Sequence, residues 1–175
     1  MKLIHPPLLA ALALGACTAA TTVEPAPRAA AVAAAEIHEP GGRAIGRASV
    51  EAAGDSVRVR IETDGLGVGS YGVHLHAVGR CDPPAFASAG PHWNPAGRQH
   101  GKDNPKGMHM GDLPNLVVGN DRRGGFEQTI PGASLAALLD ADGAAIVVHA
   151  APDDYRTDPS GNSGARIACG VLVLR

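Results

Sequence analysis

The chain has 175 residues, including 23 glycines and 14 prolines, with 3% aromatic and 18% charged residues and a formal net charge of −2. That length suggests one domain with some extra sequence at a terminus, and the turn-rich composition fits a β domain better than a helical bundle. The weak net charge and the lack of a basic stripe argue against a nucleic-acid or polyanion binder.

The chain opens MKLIHPPLLAALALGAC. Lys2 is followed by an apolar run from Leu8 to Ala16, too short to span a bilayer and suited to the core of a secretory signal. The segment ends Leu14-Gly15-Ala16-Cys17, which resembles the lipobox of bacterial lipoproteins. On that resemblance residues 1–17 are a signal peptide and Cys17 is the acylated first residue of the mature protein. An ordinary signal peptide, cut further along, is the alternative. The resemblance to lipoproteins also implies that Thr18 after the cysteine suits sorting to the outer membrane more than inner-membrane retention. The expected location is therefore the periplasm, with membrane contact only through an N-terminal lipid. Residues 18–35 almost lack large apolar side chains and are expected to form a flexible tether. The folded domain is then 36–175.

Within it, Ser56–Thr63 alternates Val57, Val59 and Ile61 with polar residues, the pattern of a half-buried strand. Arg43–Ala52, Gly72–Ala77, Leu116–Val118, Gly125–Ile130, Ala144–His149 and Ile167–Leu174 are further predicted strands. A short helical turn follows Ser134, which is placed to cap it. This series of short strands with turn signals between them argues for an antiparallel sandwich or barrel. With Cys17 assigned to the lipid, Cys81 and Cys169 remain. In an exported protein such a pair favours a disulfide over two unrelated thiols.

Residues 90–115 read GPHWNPAGRQHGKDNPKGMHMGDLPN, a loop too long to be structureless without a reason. His92, His100, His109 and Asp112 lie in it, and three imidazoles with one carboxylate suit a tetrahedral zinc ion. His74 and His76 are two apart on a predicted strand, so both face the same side. His149 ends an apolar strand, where a buried imidazole needs hydrogen-bond partners or a metal. Taken singly, the His-x-His pair reads as solvent-facing and His149 as a core residue satisfied by hydrogen bonds.

Together the segments GVHLHAVGRC, GPHWNPAGRQHG, GMHMGDLPN, VVHA and GNSGARIACGV occur in the order and spacing of the copper/zinc superoxide dismutases, and the chain from about Glu36 to Arg175 resembles that family. The resemblance implies an all-β fold, an eight-stranded antiparallel Greek-key β-barrel with long metal-binding and disulfide loops. It implies one copper per chain on His74, His76, His92 and His149. It implies one zinc per chain on His92, His100, His109 and Asp112, with His92 bridging the two. Cys81 and Cys169 match the family's disulfide, and Asp153 matches the carboxylate that links a copper ligand to a zinc ligand. Arg166 matches the arginine beside the open copper position, where it would guide superoxide. The implied activity is conversion of superoxide to oxygen and hydrogen peroxide, with His92 carrying a proton when its bridge breaks on copper reduction. Two rivals remain: a non-enzymatic copper/zinc carrier on the same fold, and a surface lipoprotein that binds zinc for stability alone. Residues 150–170 carry Arg156 but no lysine, so the family's steering charges are not transferred. Lys102 and Lys106 have no assigned role, and Trp93 is expected to pack. Members of the family differ in dimer surface, which leaves a homodimer open.

Overall fold

The computed structural model describes residues 31–175 together with Met1. Its strands are β1 Val32–His38, β2 Ala44–Ala53, β3 Ser56–Thr63, β4 Gly69–Tyr71, β5 Val73–His76, β6 Leu116–Val118, β7 Gly124–Pro131, β8 Ala144–His149 and β9 Arg166–Leu174. One helical turn, α1 Leu135–Leu138, precedes β8. Its cap is the predicted one, with the Ser134 hydroxyl accepting a hydrogen bond from the Ala137 N–H at 3.1 Å.

All pairings are antiparallel, in the order β4-β6-β7-β3-β2-β1-β9-β8-β5. β4 and β5 stand at opposite ends of that order, yet a single residue, Gly72, separates them in the chain. The Gly72 N–H donates to the Ala151 carbonyl and its own carbonyl accepts from His149, both at 2.8 Å. The sheet is thereby curled into a nearly closed barrel, and one stretch of chain supplies both of its edges. The eight expected strands become nine because this stretch changes partner at Gly72 and is interrupted there.

The boundary of the domain differs from expectation. The tether was expected to run to residue 35, but β1 begins at Val32 and pairs with both β2 and β9. Ala33 and Ala35 are buried against the barrel. Main-chain hydrogen bonds on two sides supply what the small side chains do not, so alanines suffice. Residues 2–30, with the signal-like segment and Cys17, lie outside the described residues. Among the described residues no helix is long and apolar enough to cross a membrane.

The core follows the strand period. Val57, Val59 and Ile61 of β3 point inward, as do Ile146 and Val148 of β8. β8 differs from β3 in being buried on both faces. Its outer residues Ala145 and Val147 join Phe86, Ala89 and Cys169 in a smaller cluster beneath the long loop after β5. Cys81 in that loop is bonded to Cys169 of β9, with Cα atoms 5.7 Å apart across a sequence separation of 88.

Closing a loop of that length stabilises the fold by about 4–5 kcal/mol in the chain-entropy account. Replacing both Cys81 and Cys169 by serine is expected to lower the urea midpoint by a large fraction of the wild-type value, and dithiothreitol should do the same to the wild type. Equal midpoints with and without reductant would show that the loop is held by packing instead.

Candidate metal centre

The site begins with the alternation of β5. Val73 and Leu75 enter the core, so His74 and His76 face outward, yet both are fully buried. In the β5–β8 register they lie opposite Val147 and Ala145, and His149 continues the same outer face of β8. What covers them is the loop, which pairs with the other edge of β5. The Leu75 N–H donates to the Gly111 carbonyl at 2.9 Å, the Leu75 carbonyl accepts from Trp93 at 2.8 Å, and Gly111 donates to the Trp93 carbonyl at 2.8 Å. A side chain at Gly111 would put its Cβ 2.4 Å from the Leu75 carbonyl oxygen, so the three backbones meet only because that residue is glycine. These bonds set His76 opposite His92 and His74 opposite Asp112. Trp93 is buried and packs, as expected.

Two donor sets result. On one side, Asp112 Oδ1 lies 3.0 Å from His92 Nδ1, 3.0 Å from His100 Nδ1 and 3.2 Å from His109 Nδ1, and His92 Nδ1 is 3.3 Å from His109 Nδ1. Ligands about 2.0–2.1 Å from a tetrahedral zinc are separated by about 3.3 Å, so these four separations are those expected along the edges of a zinc tetrahedron. The His100–Asp112 pair is close but not aligned as donor and acceptor, since His100 Nδ1 has no hydrogen-bond partner. That is the relation of two ligands of one ion.

On the other side, one nitrogen from each of His74, His76, His92 and His149 lies within 4.8 Å of the rest. The same closeness relates His74, His92, His100 and Asp112, because the two sets nearly touch: the His74 and His92 rings stack at 3.9 Å. His109 belongs with the Asp112 set by its 3.2 Å contact, whereas His74 Nε2 is already taken by Asp153.

The hydrogen bonds of the remaining ring nitrogens fix the tautomers. His76 Nδ1 meets the Gly90 carbonyl at 2.9 Å and His149 Nδ1 meets the Gly164 carbonyl at 3.2 Å. Carbonyls only accept, so these nitrogens carry the protons. Asp153 takes His74 Nε2 on Oδ2 at 2.7 Å and His100 Nε2 on Oδ1 at 3.0 Å. The nitrogens left over, His74 Nδ1, His76 Nε2, His149 Nε2 and His100 Nδ1, are buried without a partner. Four buried ring nitrogens without partners, aimed at two small spaces, are the chemistry of metal ligands, oriented from behind by their second nitrogens.

Asp153 has supports that the sequence reading did not single out. The Asn115 side chain donates to the Asp153 carbonyl at 2.9 Å and accepts from its N–H at 2.8 Å. Gly161, at φ +63, leaves room for the carboxylate, for a Cβ there would stand 1.8 Å from Asp153 Oδ1. Only the tertiary neighbourhood shows either role. Arg166 donates through Nη1 to the Phe86 carbonyl and through Nη2 to the Gly90 carbonyl, both at 2.7 Å. It therefore shares Gly90 with His76.

Burial keeps most of these rings neutral. It pushes His74 down to about 3, His76 down to about 2 and His149 down to about 4, and it lowers His92 as well. His100 goes the other way. Burial opposes its charge, but Asp112 and Asp153 outweigh burial and raise it to about 9. Both carboxyls are held below the usual range: burial works against their charge, and the hydrogen bonds from histidines exceed it.

The profile of the family described as copper/zinc superoxide dismutase (SODC) matches residues 44–172. The chain is 38% identical over 144 residues to superoxide dismutase (Cu-Zn) 2 of Aquifex aeolicus (strain VF5), covering 79% of this chain and 84% of that protein. It is 43% identical over 138 residues to a Cu-Zn superoxide dismutase of Caulobacter vibrioides, covering 75% and 79%. Among solved structures, a SOD-like protein from Bacillus subtilis matches with a TM-score of 0.75 and 39% identity, covering 80% of this chain and 97% of that one. The Cu/Zn superoxide dismutase from Brucella abortus matches with a TM-score of 0.66 and 26% identity, covering 81% and 99%.

The shifted histidines predict an acid-labile metal-depleted protein. His74, His76 and His149 titrate lower when folded than the ordinary 6.5. Their contribution is whole above about 6.5 and is lost as pH falls from there toward 4, because the unfolded chain takes up protons first. His100 acts oppositely, losing its contribution as pH rises from 6.5 to about 9. Thermal melts after chelation should peak near neutrality and fall more steeply on the acid side. A melting temperature flat from pH 7 to pH 4 would contradict the buried neutral rings.

Proposed function

The chain belongs to the copper/zinc superoxide dismutase family, oxidoreductases that bind copper and zinc, and we propose that it converts superoxide to oxygen and hydrogen peroxide. The observation that carries this reading is the position of one ring. His92 stands between the two donor sets, with Nδ1 beside Asp112 and His109 while the ring is grouped with His74, His76 and His149. On this reading His74, His76, His92 and His149 hold copper, and His92, His100, His109 and Asp112 hold zinc, one ion of each per chain. Copper when bound supplies the one-electron redox chemistry, which zinc, having no redox chemistry of its own, cannot.

The rest falls to side chains of this protein. Dismutation consumes two protons for each pair of superoxide ions. His92 Nε2 is the atom that would hold a proton and pass it to the reduced dioxygen, while Nδ1, beside Asp112 and His109, keeps the ring in place. Asp153 holds His74 and His100 at fixed angles through their outer nitrogens. Arg166 is fastened to the loop by two of its donors and presents the others, with a permanent charge, to an arriving anion. The carbonyl-tying role and the guiding role thus coexist in one residue.

The N-terminal segment supports export. We propose that the chain is periplasmic and anchored to the outer membrane through Cys17, with the folded domain carried beyond it. Mass spectrometry of the mature protein should find an acylated Cys17 at the N-terminus, and an unmodified N-terminus beyond residue 17 would overturn the anchor.

For the activity, metal-loaded Arg166→Ala should retain both ions yet lose on the order of tenfold in kcat/KM at low ionic strength. An unchanged rate would remove Arg166 from substrate guidance. A wild-type protein that carries both metals but consumes no superoxide would point instead to a non-enzymatic carrier on the same fold.

A further inference from the structure

Behind the loop that carries His109 and Asp112 lies a cavity of about 560 Å³, walled on its far side by the end of β7. That volume falls within the range of small-molecule sites. Its apolar surface comes from Met108, Met110, Leu113 and Ile130. Met110 and Ile130 pack on the barrel core, whereas Met108 is 42% exposed.

Two cations, Arg98 and Lys102, also line the cavity. Lys102 Nζ is placed over the Tyr155 ring, 4.2 Å from its centroid, so the ammonium is held at the site rather than extended into solvent. Neither cation forms a salt bridge among the described residues. The one carboxylate in the wall, Asp112, is turned away toward His92, His100 and His109. The cavity therefore joins an apolar lining to positive charge that nothing in its own wall neutralises. The metal centre needs neither feature.

We propose that this cavity binds an organic anion with an apolar body, its carboxylate or sulfonate set against Arg98 and Lys102 and its body against Met108, Met110, Leu113 and Ile130. A small inorganic anion would leave the apolar wall unused, and an uncharged hydrophobe would gain nothing from the two cations.

The test uses the full metal-loaded protein titrated with anilinonaphthalene sulfonate and with decanoate. Dye fluorescence reports affinity, and methyl NMR signals report position. Saturable binding is expected, with shifts centred on Met108, Met110, Leu113 and Ile130, and with the dye displaced by decanoate far better than by decanol. Removing both charges, in the variant Arg98→Ala with Lys102→Ala, should weaken dye binding by about tenfold, the sum of two modest surface charge contacts. Met108→Glu, which sets a like charge against the anion in the apolar wall, should abolish it. Absence of saturable binding would overturn the proposal. So would shifts elsewhere on the protein, decanol competing as well as decanoate, or wild-type affinity in either variant.

Discussion

Six imidazoles packed within a few ångströms of one another, and out of water, are compatible with a stable fold only if nearly all are neutral and their lone pairs end on something positive. Everything else about this protein answers that constraint. His74 and His76 have no solvent exposure and His149 and His92 almost none. Protonating several of them at once would set like charges side by side in a poorly solvated space. The protein does not relieve this with opposing carboxylates everywhere. It places Asp112 and Asp153 within 3.2 Å of ring nitrogens, with Asp158 farther off at 3.9 Å from His109 Nε2, and uses backbone carbonyls to hold the protons of His76 and His149 away from the centre. That leaves the inward nitrogens as bare donors.

The framework that makes this possible is mostly main chain. The free edge of β5 is completed by Trp93 and Gly111, so the loop is docked as if it were a further strand, and the ligands it carries arrive in register with those of the barrel. The disulfide and Arg166 then fasten the near end of the same loop to β9. A loop with few apolar anchors is fixed in this way at three places along its length.

Much of this was legible in the sequence, and what was not has a common reason. The bounds of β3, β6 and β8 agree with the periodicity, because alternation or an apolar run between turn residues leaves little choice. The His-x-His pair shares a face for the same reason. His149, taken alone, reads as a core residue satisfied by hydrogen bonds. In the structure only one of its nitrogens is satisfied, and the other faces the cluster. β1 escaped notice because a strand of alanines has no hydrophobic period to read, its place being set by partners on both sides. β4 was missed because Gly69-Ser70-Tyr71 is neither an apolar run nor an alternation of buried and exposed residues. Asn115, Gly111 and Gly161 act on groups far along the chain, so no local signal marks them.

One carbonyl oxygen, that of Gly90, receives hydrogen bonds from both His76 and Arg166. On the proposed reading, the residue that would guide the anion and a ring that would hold copper are thus referenced to a single atom. Displacing that peptide would turn the imidazole and swing the guanidinium in the same event. In this architecture, selection on the setting of Arg166 cannot act on that side chain alone, because each adjustment of the Gly90 peptide is also felt by the His76 ring.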